Sequence, residues 1–358
     1  MNHKEFLYSC SKTKVLLIGD IMLDRYVVGD VNRISPEAPV PIFLSGKSKQ
    51  VLGGAGNVYN NLVSLGVKTT LISAIGKDNI GTQIEKIVNK IKNNTVYLFK
   101  EKTQVSTVKS RYSVNGQQLI RIDEENIESF SSSAYKFILK SFKKELLKHS
   151  VVILSDYNKG IFSKNLTAEL VRISNQNNIP IIIDPKNKDF SYYKNAFLIT
   201  PNQLETTQIT NMPCNNNKEA ELCGEYIIKK FSVKSVLITR GDKGLTYISK
   251  KEHIHANTKK IEVFDVSGAG DTVLSILAVC ISNKLSIKKS LKLSNRAARI
   301  VVGKIGTSTI DLNELFKEDK IFLNKKNTLS ELKKIVTEYK KKDIKVGFTN
   351  GCFDILHL

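Results

Sequence analysis

Residues 265–272 read Asp-Val-Ser-Gly-Ala-Gly-Asp-Thr, and the apolar run VLSILAVCI follows at once at 273–281. The two glycines let the backbone turn tightly so that its amides can face an anion, and the N-terminus of the following helix adds partial positive charge. Asp271 falls in the first turn of that helix, where a carboxylate is ordinarily a helix-start residue. Beside a bound phosphate it could instead take the proton of an attacking hydroxyl. Taken alone, the stretch is equally well explained as a Gly-rich turn with a capping aspartate.

A second glycine-rich segment, GGAGN at 53–57, precedes the sequence VYNNLVSLG at 58–66. The apolar residues of this sequence fall on one face of a predicted helix, which Gly66 is placed to end. Small residues before a helix allow a ligand to approach the backbone, and Asn57 offers an amide for hydrogen bonding. Packing of the helix against a strand would favour the same small residues, so both interpretations stay open.

Together with LIGDIMLDRY at 17–26, these two segments resemble the signatures of the ribokinase-like carbohydrate kinase family. A third motif, NQLE at 202–205, stands where that family has Asn-x-x-Glu. The resemblance covers about residues 14–312, and three motifs in the family's order are more specific than any one of them. It implies an α/β fold with a mostly parallel sheet, helices on both faces and a small β-flap lid, and it implies ATP-dependent phosphorylation of a sugar hydroxyl.

The pattern of apolar runs predicts the same architecture. Continuous apolar runs alternate with helical stretches, as expected when helices cover both faces of a parallel sheet. Residues 96–123 instead alternate polar and apolar side chains, which predicts the β-flap. Ligands bind at the carboxyl ends of strands in such folds. The polar residues at the ends of predicted strands are Asp20, Asp156, Asp184, Asn202 and Arg240.

Phosphoryl transfer needs positioning, charge stabilisation and often a base. We predict that Asp271 is the base and that the backbone amides around it form an anion hole, to which Gly268, Ala269 and Gly270 contribute. The residues assigned to ATP are Lys186, Asn202, Gln203, Leu204, Glu205, Arg240 and Gly241. By resemblance, Glu205 would act on Mg²⁺ through water, since Mg²⁺ gives up water reluctantly. Asn-x-x-Glu is also a helix capping box, and both roles can hold at once. A surface lysine at 186 and a hairpin entry at 239–241 are the alternatives.

On the acceptor side, the resemblance assigns sugar hydroxyls to Asp20 and Asp24, because carboxylates accept two hydrogen bonds each and suit vicinal diols. The pocket would be completed by Gly53, Gly54 and Asn57. A phosphate already on the substrate would suit a guanidinium fork. The candidates are Arg33, Arg111 and Arg121, each of which could instead be a solvated arginine.

Two segments narrow the substrate. The loop RISPEAPVPIF at 33–43 resembles the heptose-phosphate kinase branch, and GFTNGCFDILH at 347–357 resembles the opening of a cytidylyltransferase-type nucleotidyltransferase domain. This is the arrangement of the bifunctional heptose 7-phosphate kinase and heptose 1-phosphate adenylyltransferase family. The resemblance implies phosphorylation of D-glycero-β-D-manno-heptose 7-phosphate at its C1 hydroxyl, for ADP-heptose and lipopolysaccharide core synthesis. A kinase for another sugar or nucleoside, and a non-catalytic remnant, remain alternatives.

The same comparison predicts the domain organisation. We expect a kinase domain at 1–315, a charged linker at 316–343 that contains a helix, and the first strand of a truncated nucleotidyltransferase domain at 344–358. Such a domain opens with a His-x-Gly-His motif: His357 would match its first histidine and Leu358 its variable position, and the Gly and His that follow are missing. We therefore expect no adenylyltransferase activity from this chain alone. Relatives often dimerise through the β-flap, which implies a homodimer.

The formal net charge of +21 raises the question of nucleic-acid binding. The lysines are spread over the whole sequence without a basic stripe interleaved with aromatic residues, so we expect no specific nucleic-acid partner. The sequence has no apolar run of the roughly 18 residues that a bilayer span needs, and its start lacks the apolar core of a signal peptide. We expect no membrane association and a cytoplasmic location.

Cysteine and histidine usage favours neither disulfides nor a transition-metal site. The five cysteines and five histidines are scattered, without Cys-x-x-Cys spacing. They are typical of free thiols in a reducing compartment. His253 and His255 alternate along a predicted strand and would bind a metal only with partners that the sequence does not identify.

Overall fold

The computed structural model describes residues 2–92, 94–258, 265–304, 306, 308–316, 328–341 and 346–347. Internal contacts divide the chain into two compact units, residues 1–315 and residues 316–358.

The first unit is built around a nine-stranded sheet, counted over the described residues. Its strands are β1 (Lys14–Gly19), β4 (Lys68–Gly76), β5 (Thr95–Glu101), β8 (Val151–Ser155), β9 (Ile181–Asp184), β10 (Leu198–Ile199), β11 (Ser235–Thr239), β12 (Leu245–Ser249) and β13 (His253–Ala256). Their spatial order is β13-β12-β11-β10-β9-β8-β1-β4-β5. All pairings from β5 to β11 are parallel, and β12 and β13 are antiparallel. The mostly parallel sheet predicted from the apolar runs is confirmed.

Helices lie on both faces of this sheet. They are α1 (His3–Lys12), α2 (Ala55–Ser64), α3 (Asn79–Asn89), α4 (Ser132–Glu145), α5 (Lys164–Gln176), α6 (Gln203–Thr210), α7 (Asn217–Phe231), α8 (Ala269–Ser282), α9 (Ile287–Val302) and α10 (Leu312–Phe316), with short 3₁₀ turns at Leu146–Lys148, Phe190–Tyr193 and Gly241–Lys243. Helices α4, α5 and α7 share a continuous core with the central strands. Residues 271–280 of α8 are all buried, because the helix packs against α2 and α9 as well as against strands. Burial of each of its aliphatic side chains contributes about 1.5–3 kcal/mol.

A second, four-stranded sheet forms the flap. Its strands are β2 (Ile21–Ile34), β3 (Pro41–Gly54), β6 (Val108–Val114) and β7 (Gln117–Glu124), in the order β3-β2-β6-β7. The predicted range of the flap, 96–123, contains β6 and most of β7 but omits β2 and β3. It also includes β5, which is not part of the flap. Strand β5 belongs to the main sheet, where its edge position leaves it partly exposed and so alternating in polarity. The long hairpin of β2 and β3 is mostly exposed at its tip, and its polar sequence resembles a loop.

The second unit has one helix within the described residues, α11 (Leu329–Lys341). It occupies the stretch where the sequence predicts a helix. Of the strand predicted at 344–358, only residues 346 and 347 are described, so this prediction lies outside the described residues.

Candidate active site

The predicted nucleotide and catalytic residues meet in one cleft at the carboxyl ends of the central strands. The cleft has a volume of about 790 Å³. Its lining includes Lys186, Asn202, Gln203, Leu204, Arg240, Gly241, Gly268, Ala269, Gly270 and Asp271. The strand order explains this convergence, because β8, β9, β10 and β11 are neighbours and all end on the same edge.

The cleft contains the N-terminus of α8, whose first turn is open to a ligand. Gly268 has φ +81°, a left-handed conformation that suits glycine, and no side chain caps this helix start. A Cβ on Gly270 would meet no atom within 4 Å. The unbonded amides at a helix N-terminus, together with the helix dipole, form an anion-binding site. Of the amides in the predicted anion hole, that of Ala269 donates instead to the Val266 carbonyl at 3.3 Å, so the other amides of this turn are the ones that suit an anion.

Asp271 is held from both sides. Asn57 Nδ2 donates a hydrogen bond to its Oδ2 at 2.6 Å, and the Tyr157 hydroxyl donates to its Oδ1 at 2.8 Å. The side chain is only 4% exposed. Burial raises the pKa of Asp271 to about 6, while the two hydrogen bonds oppose that rise. The carboxylate is therefore ionised at neutral pH and is still basic enough to accept a proton.

The orientation of Asn57 is also fixed. Asn61 Nδ2 donates to Asn57 Oδ1 at 3.3 Å, so the Asn57 amide presents its Nδ2 to Asp271. Asn61 Oδ1 in turn accepts a hydrogen bond from the Thr272 hydroxyl at 3.2 Å. This network joins α2 to α8 and brings the two glycine-rich segments of the sequence together.

On the nucleotide side, the Asn-x-x-Glu motif begins α6 as a capping box. Asn202 Oδ1 accepts from the Glu205 amide and Glu205 Oε2 accepts from the Asn202 amide, both at 2.8 Å. Glu205 Oε1 accepts a hydrogen bond of 2.6 Å from Lys186 Nζ, which also lies 3.9 Å from Asp184 Oδ2. Burial lowers the pKa of Lys186, but the two carboxylates outweigh it and the net pKa is raised. Lys186 is therefore a fixed cation in the cleft rather than a solvated surface lysine.

The same residues fit a magnesium ion only in a particular way. No group of three or more His, Cys, Asp or Glu side chains within the described residues is arranged to hold a metal ion. Mg²⁺ commonly takes one or two carboxylates and completes its shell with water and substrate phosphates. Glu205 has lone pairs beyond those used by Lys186 and Asn202, so it suits a contact with Mg²⁺ through water.

Arg240 is buried in the wall of the cleft and is 2% exposed. Its Nη2 donates to Asn217 Oδ1 at 2.6 Å, and its Nε has no hydrogen-bond partner within the described part of the chain. Gly241 begins the 3₁₀ turn between β11 and β12. The hairpin entry considered from the sequence is thus present, and both residues also line the cleft.

On the acceptor side, Asp24 lies at the base of the flap. Its Oδ1 accepts a hydrogen bond of 2.6 Å from Arg111 Nη1, whose guanidinium lies 5.2 Å from the centroid of the Tyr26 ring. A Cβ on Gly53 would collide with the Asp24 carboxylate, and one on Gly54, where φ is +58°, would collide with the Asp20 carbonyl oxygen. These glycines are therefore needed for close packing around Asp24 and the start of α2.

Asp20 has contacts that differ from its predicted role. Its carboxylate accepts backbone N–H hydrogen bonds from Tyr157 at 2.8 Å, and from Lys159 and Ile161 at 3.3 Å. Its side chain is buried, and burial together with nearby Asp156 raises its pKa to about 7. The binding of sugar hydroxyls by Asp20 stays a prediction, and in this structure its carboxylate holds the loop that follows β8.

The three candidate arginines are not brought together. Arg111 pairs with Asp24, whereas Arg121 pairs with Asp123 at 2.9 Å and is half exposed. Arg33 lies at the exposed end of β2. Of these three separate candidates for a substrate phosphate, Arg111 contacts Asp24 on the acceptor side.

A second cavity of about 330 Å³ adjoins Asn57. It is lined by Lys49 and Lys304 together with the polar side chains of Asn60, Ser308 and Thr309. Lys304 Nζ donates to Glu314 at 2.7 Å. Sequence reasoning missed this cavity, because Lys49 comes from the β2–β3 hairpin that resembles a loop.

The predicted family is also found by comparison. The model of the pfkB family carbohydrate kinases matches residues 12–314. The chain belongs to this family.

Two curated pfkB-family relatives match almost the whole chain. The Bifunctional protein HldE of Aliarcobacter butzleri strain RM4018 is 37% identical over 353 residues, covering 97% of this chain and 74% of that protein. The protein of the same name from Sulfurimonas denitrificans is 38% identical over 351 residues, covering 96% and 73%.

Solved structures show the same fold. Phosphofructokinase-2 from Escherichia coli in complex with substrates and products superposes with a TM-score of 0.70 at 16% identity, covering 85% of this chain and 97% of that one. Arabidopsis thaliana ribokinase complexed with ribose and ATP gives 0.64 at 17% identity, with the same coverage. The chain thus has a ribokinase-like α/β fold, as the sequence predicted.

Three further features of the sequence are the absence of a long apolar run, the alternating histidines His253 and His255, and the scattered cysteines. Within the described residues no helix is both long enough and apolar enough to cross a bilayer. His255 Nε2 lies 2.9 Å from Glu221 Oε1, and His253 lies 3.5 Å from Glu225, so both histidines have acidic neighbours on α7. The described cysteines, namely Cys10, Cys214, Cys223 and Cys280, are free and buried.

Proposed function

We propose that this kinase transfers the γ-phosphoryl group of ATP to the C1 hydroxyl of D-glycero-β-D-manno-heptose 7-phosphate and so forms the 1,7-bisphosphate. The observation that carries the proposal is that Asp271, the open first turn of α8 and Lys186, which pairs with Glu205, line one cleft. The heptose follows from the resemblance of loop 33–43 to the heptose-phosphate kinase branch. The product would feed ADP-heptose and lipopolysaccharide core synthesis.

In this mechanism Asp271 takes the proton of the acceptor hydroxyl as it attacks. The amides of Gly268, Gly270 and Asp271 would donate to the transferring phosphoryl group, and Lys186 would offset charge on the phosphates of ATP. Mg²⁺, held by phosphate oxygens and through water by Glu205, would neutralise further negative charge. Asn202 sets the position of Glu205 through the capping box.

The acceptor would lie between the flap and α2. Asp24 and Asn57 offer polar groups to the sugar, and the 330 Å³ cavity beside Asn57 offers Lys49 to a phosphate at the far end of the substrate. A lysine recognises phosphate as a point charge. We expect Lys49→Met to raise KM for the sugar phosphate about tenfold and to leave KM for ATP unchanged.

The test of the substrate is ADP release measured across a set of sugars, sugar phosphates and nucleosides. Heptose 7-phosphate should give the highest kcat/KM by at least about a factor of 100, equivalent to about 2.7 kcal/mol of discrimination. A higher value with another sugar or with a nucleoside would favour the alternative kinase. ATP binding without ADP release on any acceptor would favour the non-catalytic remnant, against which the geometry of Asp271 argues.

We also propose that the chain forms a homodimer through the flap. Strand β7 is exposed along its whole length and is the edge strand of its sheet. It carries Leu119, Ile120 and Ile122, whose exposed fractions are 49%, 54% and 44%. An exposed apolar edge strand is a template for pairing with another chain.

A further inference from the structure

Among the residues that the structure describes, the Tyr157 hydroxyl is one of two side-chain groups that donate a hydrogen bond to the Asp271 carboxylate. It donates to Oδ1 at 2.8 Å, on the opposite oxygen from the one that Asn57 contacts at 2.6 Å. Tyr157 also lines the cleft, and Lys186 Nζ lies 5.8 Å from its ring centroid. Its pKa is well above 10, chiefly because of burial and then because of the charge of Asp271. The phenol therefore remains a hydrogen-bond donor throughout the pH range in which a kinase works.

The loop that carries Tyr157 is fixed by the protein rather than by the substrate. Asp20 accepts the amide hydrogen bonds of Tyr157, Lys159 and Ile161 described above. Asn158 has φ +55°, a left-handed conformation that asparagine tolerates better than most residues. At the other end of the loop, the Tyr135 hydroxyl donates to the Gly160 carbonyl at 3.0 Å. The aromatic ring thus has a defined position before any ligand binds.

We propose that Tyr157 is a positioning residue for the base and that Asp20 is the anchor that holds it. The proposal rests on the proposed role of Asp271. Two donors on opposite oxygens prevent rotation of the carboxylate and leave its remaining lone pairs for the acceptor hydroxyl. Both donors also stabilise the ionised form of Asp271. Removing the Tyr157 hydroxyl removes its share of this stabilisation.

The test is the pH dependence of kcat for Tyr157→Phe, measured with whichever acceptor the wild type phosphorylates best. Loss of a hydrogen bond to a charged carboxylate corresponds to a rise in its pKa of about one to two units. We therefore expect the acidic limb of the profile to move upward by about one pH unit. The loss of kcat should be large near pH 6 and should shrink toward pH 9, with KM for ATP unchanged.

Tyr135→Phe is the matched control, because it removes a tyrosine hydroxyl of α4 that contacts the same loop at Gly160 and does not contact Asp271. It should leave the acidic limb where it is in the wild type. The other charged and titratable groups that face Asp271 are Lys186, Asp184 and Asp24, and they are the same in all three proteins. The difference between the profiles therefore reports on Tyr157.

A second substitution covers the case in which Tyr157→Phe does not fold. Replacement of Tyr157 by 3-fluorotyrosine keeps the shape and makes the phenol a stronger donor, so the acidic limb should move to lower pH. A Tyr157→Phe profile that superimposes on the wild type, or that is lowered equally at every pH, would overturn the proposal. Full activity of Asp271→Asn would instead overturn the role of Asp271 itself, so the two failures are distinguishable.

Discussion

At the scale of single residues, the first prediction concerns the buried carboxylate of Asp271, which is proposed to be the general base. A general base contributes about 10²–10⁴ to rate. We expect Asp271→Asn to lower kcat by at least about 100-fold, because the amide cannot accept the proton, while ATP affinity changes less than about twofold. ADP release and equilibrium ATP binding measure the two quantities. Asp189→Asn, at an exposed 3₁₀ turn, is the control; equal losses in both variants would contradict the assignment.

The pH dependence of the wild type follows from the same residue. Its pKa is raised to about 6, and the base must be ionised to work. Activity should therefore be present above about pH 6 and fall below it by a factor of about ten per pH unit. A kcat/KM profile recorded from pH 4.5 to 9 measures this limb. A limb near pH 4, the usual range of an exposed aspartate, would show that Asp271 is not the group that titrates.

The next prediction concerns Lys186 and its effect on KM for ATP. Its loss should remove a charge-assisted hydrogen bond worth about 1.5–3 kcal/mol, which corresponds to at least about a tenfold rise in KM for ATP. We expect Lys186→Met to show this rise with KM for the sugar unchanged. Lys188→Met, two residues further along at an exposed position, should leave both constants unchanged. A rise in the sugar KM alone would place Lys186 with the acceptor instead.

How much of the site is visible in the sequence depends on how local each contact is. The capping box joins Asn202 and Glu205, which are three positions apart, and the turn before Asp271 is contiguous, so spacing is enough to find both. Tyr157 lies 114 residues from Asp271, and Asp20 lies 137 residues from Tyr157. These contacts depend on β1 and β8 being neighbours, which no local pattern fixes. Asp20 was predicted for the site because it stands at the end of β1 and in a family motif, whereas Tyr157, two residues after β8, was not predicted.

At the scale of secondary-structure elements, the entry into α2 is set by Gly54. Its φ of +58° disfavours other residues, and a Cβ there would collide with the Asp20 carbonyl and lie 2.8 Å from Met22 Cε. We expect Gly54→Ala to lower the free energy of unfolding by about 2–5 kcal/mol, from backbone strain and overpacking together. Urea unfolding followed by circular dichroism measures it.

Gly66, after the other end of α2, is the matched control. It also has a positive φ, +75°, but a Cβ there would meet nothing within 4 Å. Gly66→Ala should therefore cost only the strain of the left-handed conformation, about 1–2 kcal/mol. Equal losses in the two variants would mean that close packing at Gly54 contributes nothing.

Some secondary-structure elements can be predicted from their sequences and others cannot. Strands buried on both faces, such as β1 and β8, are continuous apolar runs and were found. The hairpin of β2 and β3 was not found, because exposure of its distal part on both faces allows a polar sequence. Its strands are nevertheless held by an antiparallel ladder from Ile21 to Gly54. Backbone pairing, which leaves little mark in composition, determines this element.

At the scale of the whole molecule, the exposed apolar residues of the edge strand β7 lead us to predict a homodimer. Ile120 and Ile122 of β7 are paired in register with Tyr112 and Ser110 of β6, and their exposed side chains lie on the same face of the strand. A charge placed there would be buried in any interface that covers β7, at a cost of several kcal/mol without a partner. We therefore expect the double variant Ile120→Glu, Ile122→Glu to be a monomer where the wild type is a dimer, as measured by light scattering after size exclusion.

The control for this experiment is Leu147→Glu, which adds a charge at an aliphatic side chain that is 75% exposed outside the flap. It should leave the mass in solution unchanged, because Leu147 lies in a 3₁₀ turn after α4 rather than at a sheet edge. A wild type that is monomeric at all concentrations would overturn the flap-mediated dimer, and so would a double variant that remains dimeric. If the dimer is lost while kcat is kept, assembly and catalysis are separate. If both fall together, the partner's flap helps to cover the acceptor, since Asp24 and Arg111 belong to the same sheet as β7.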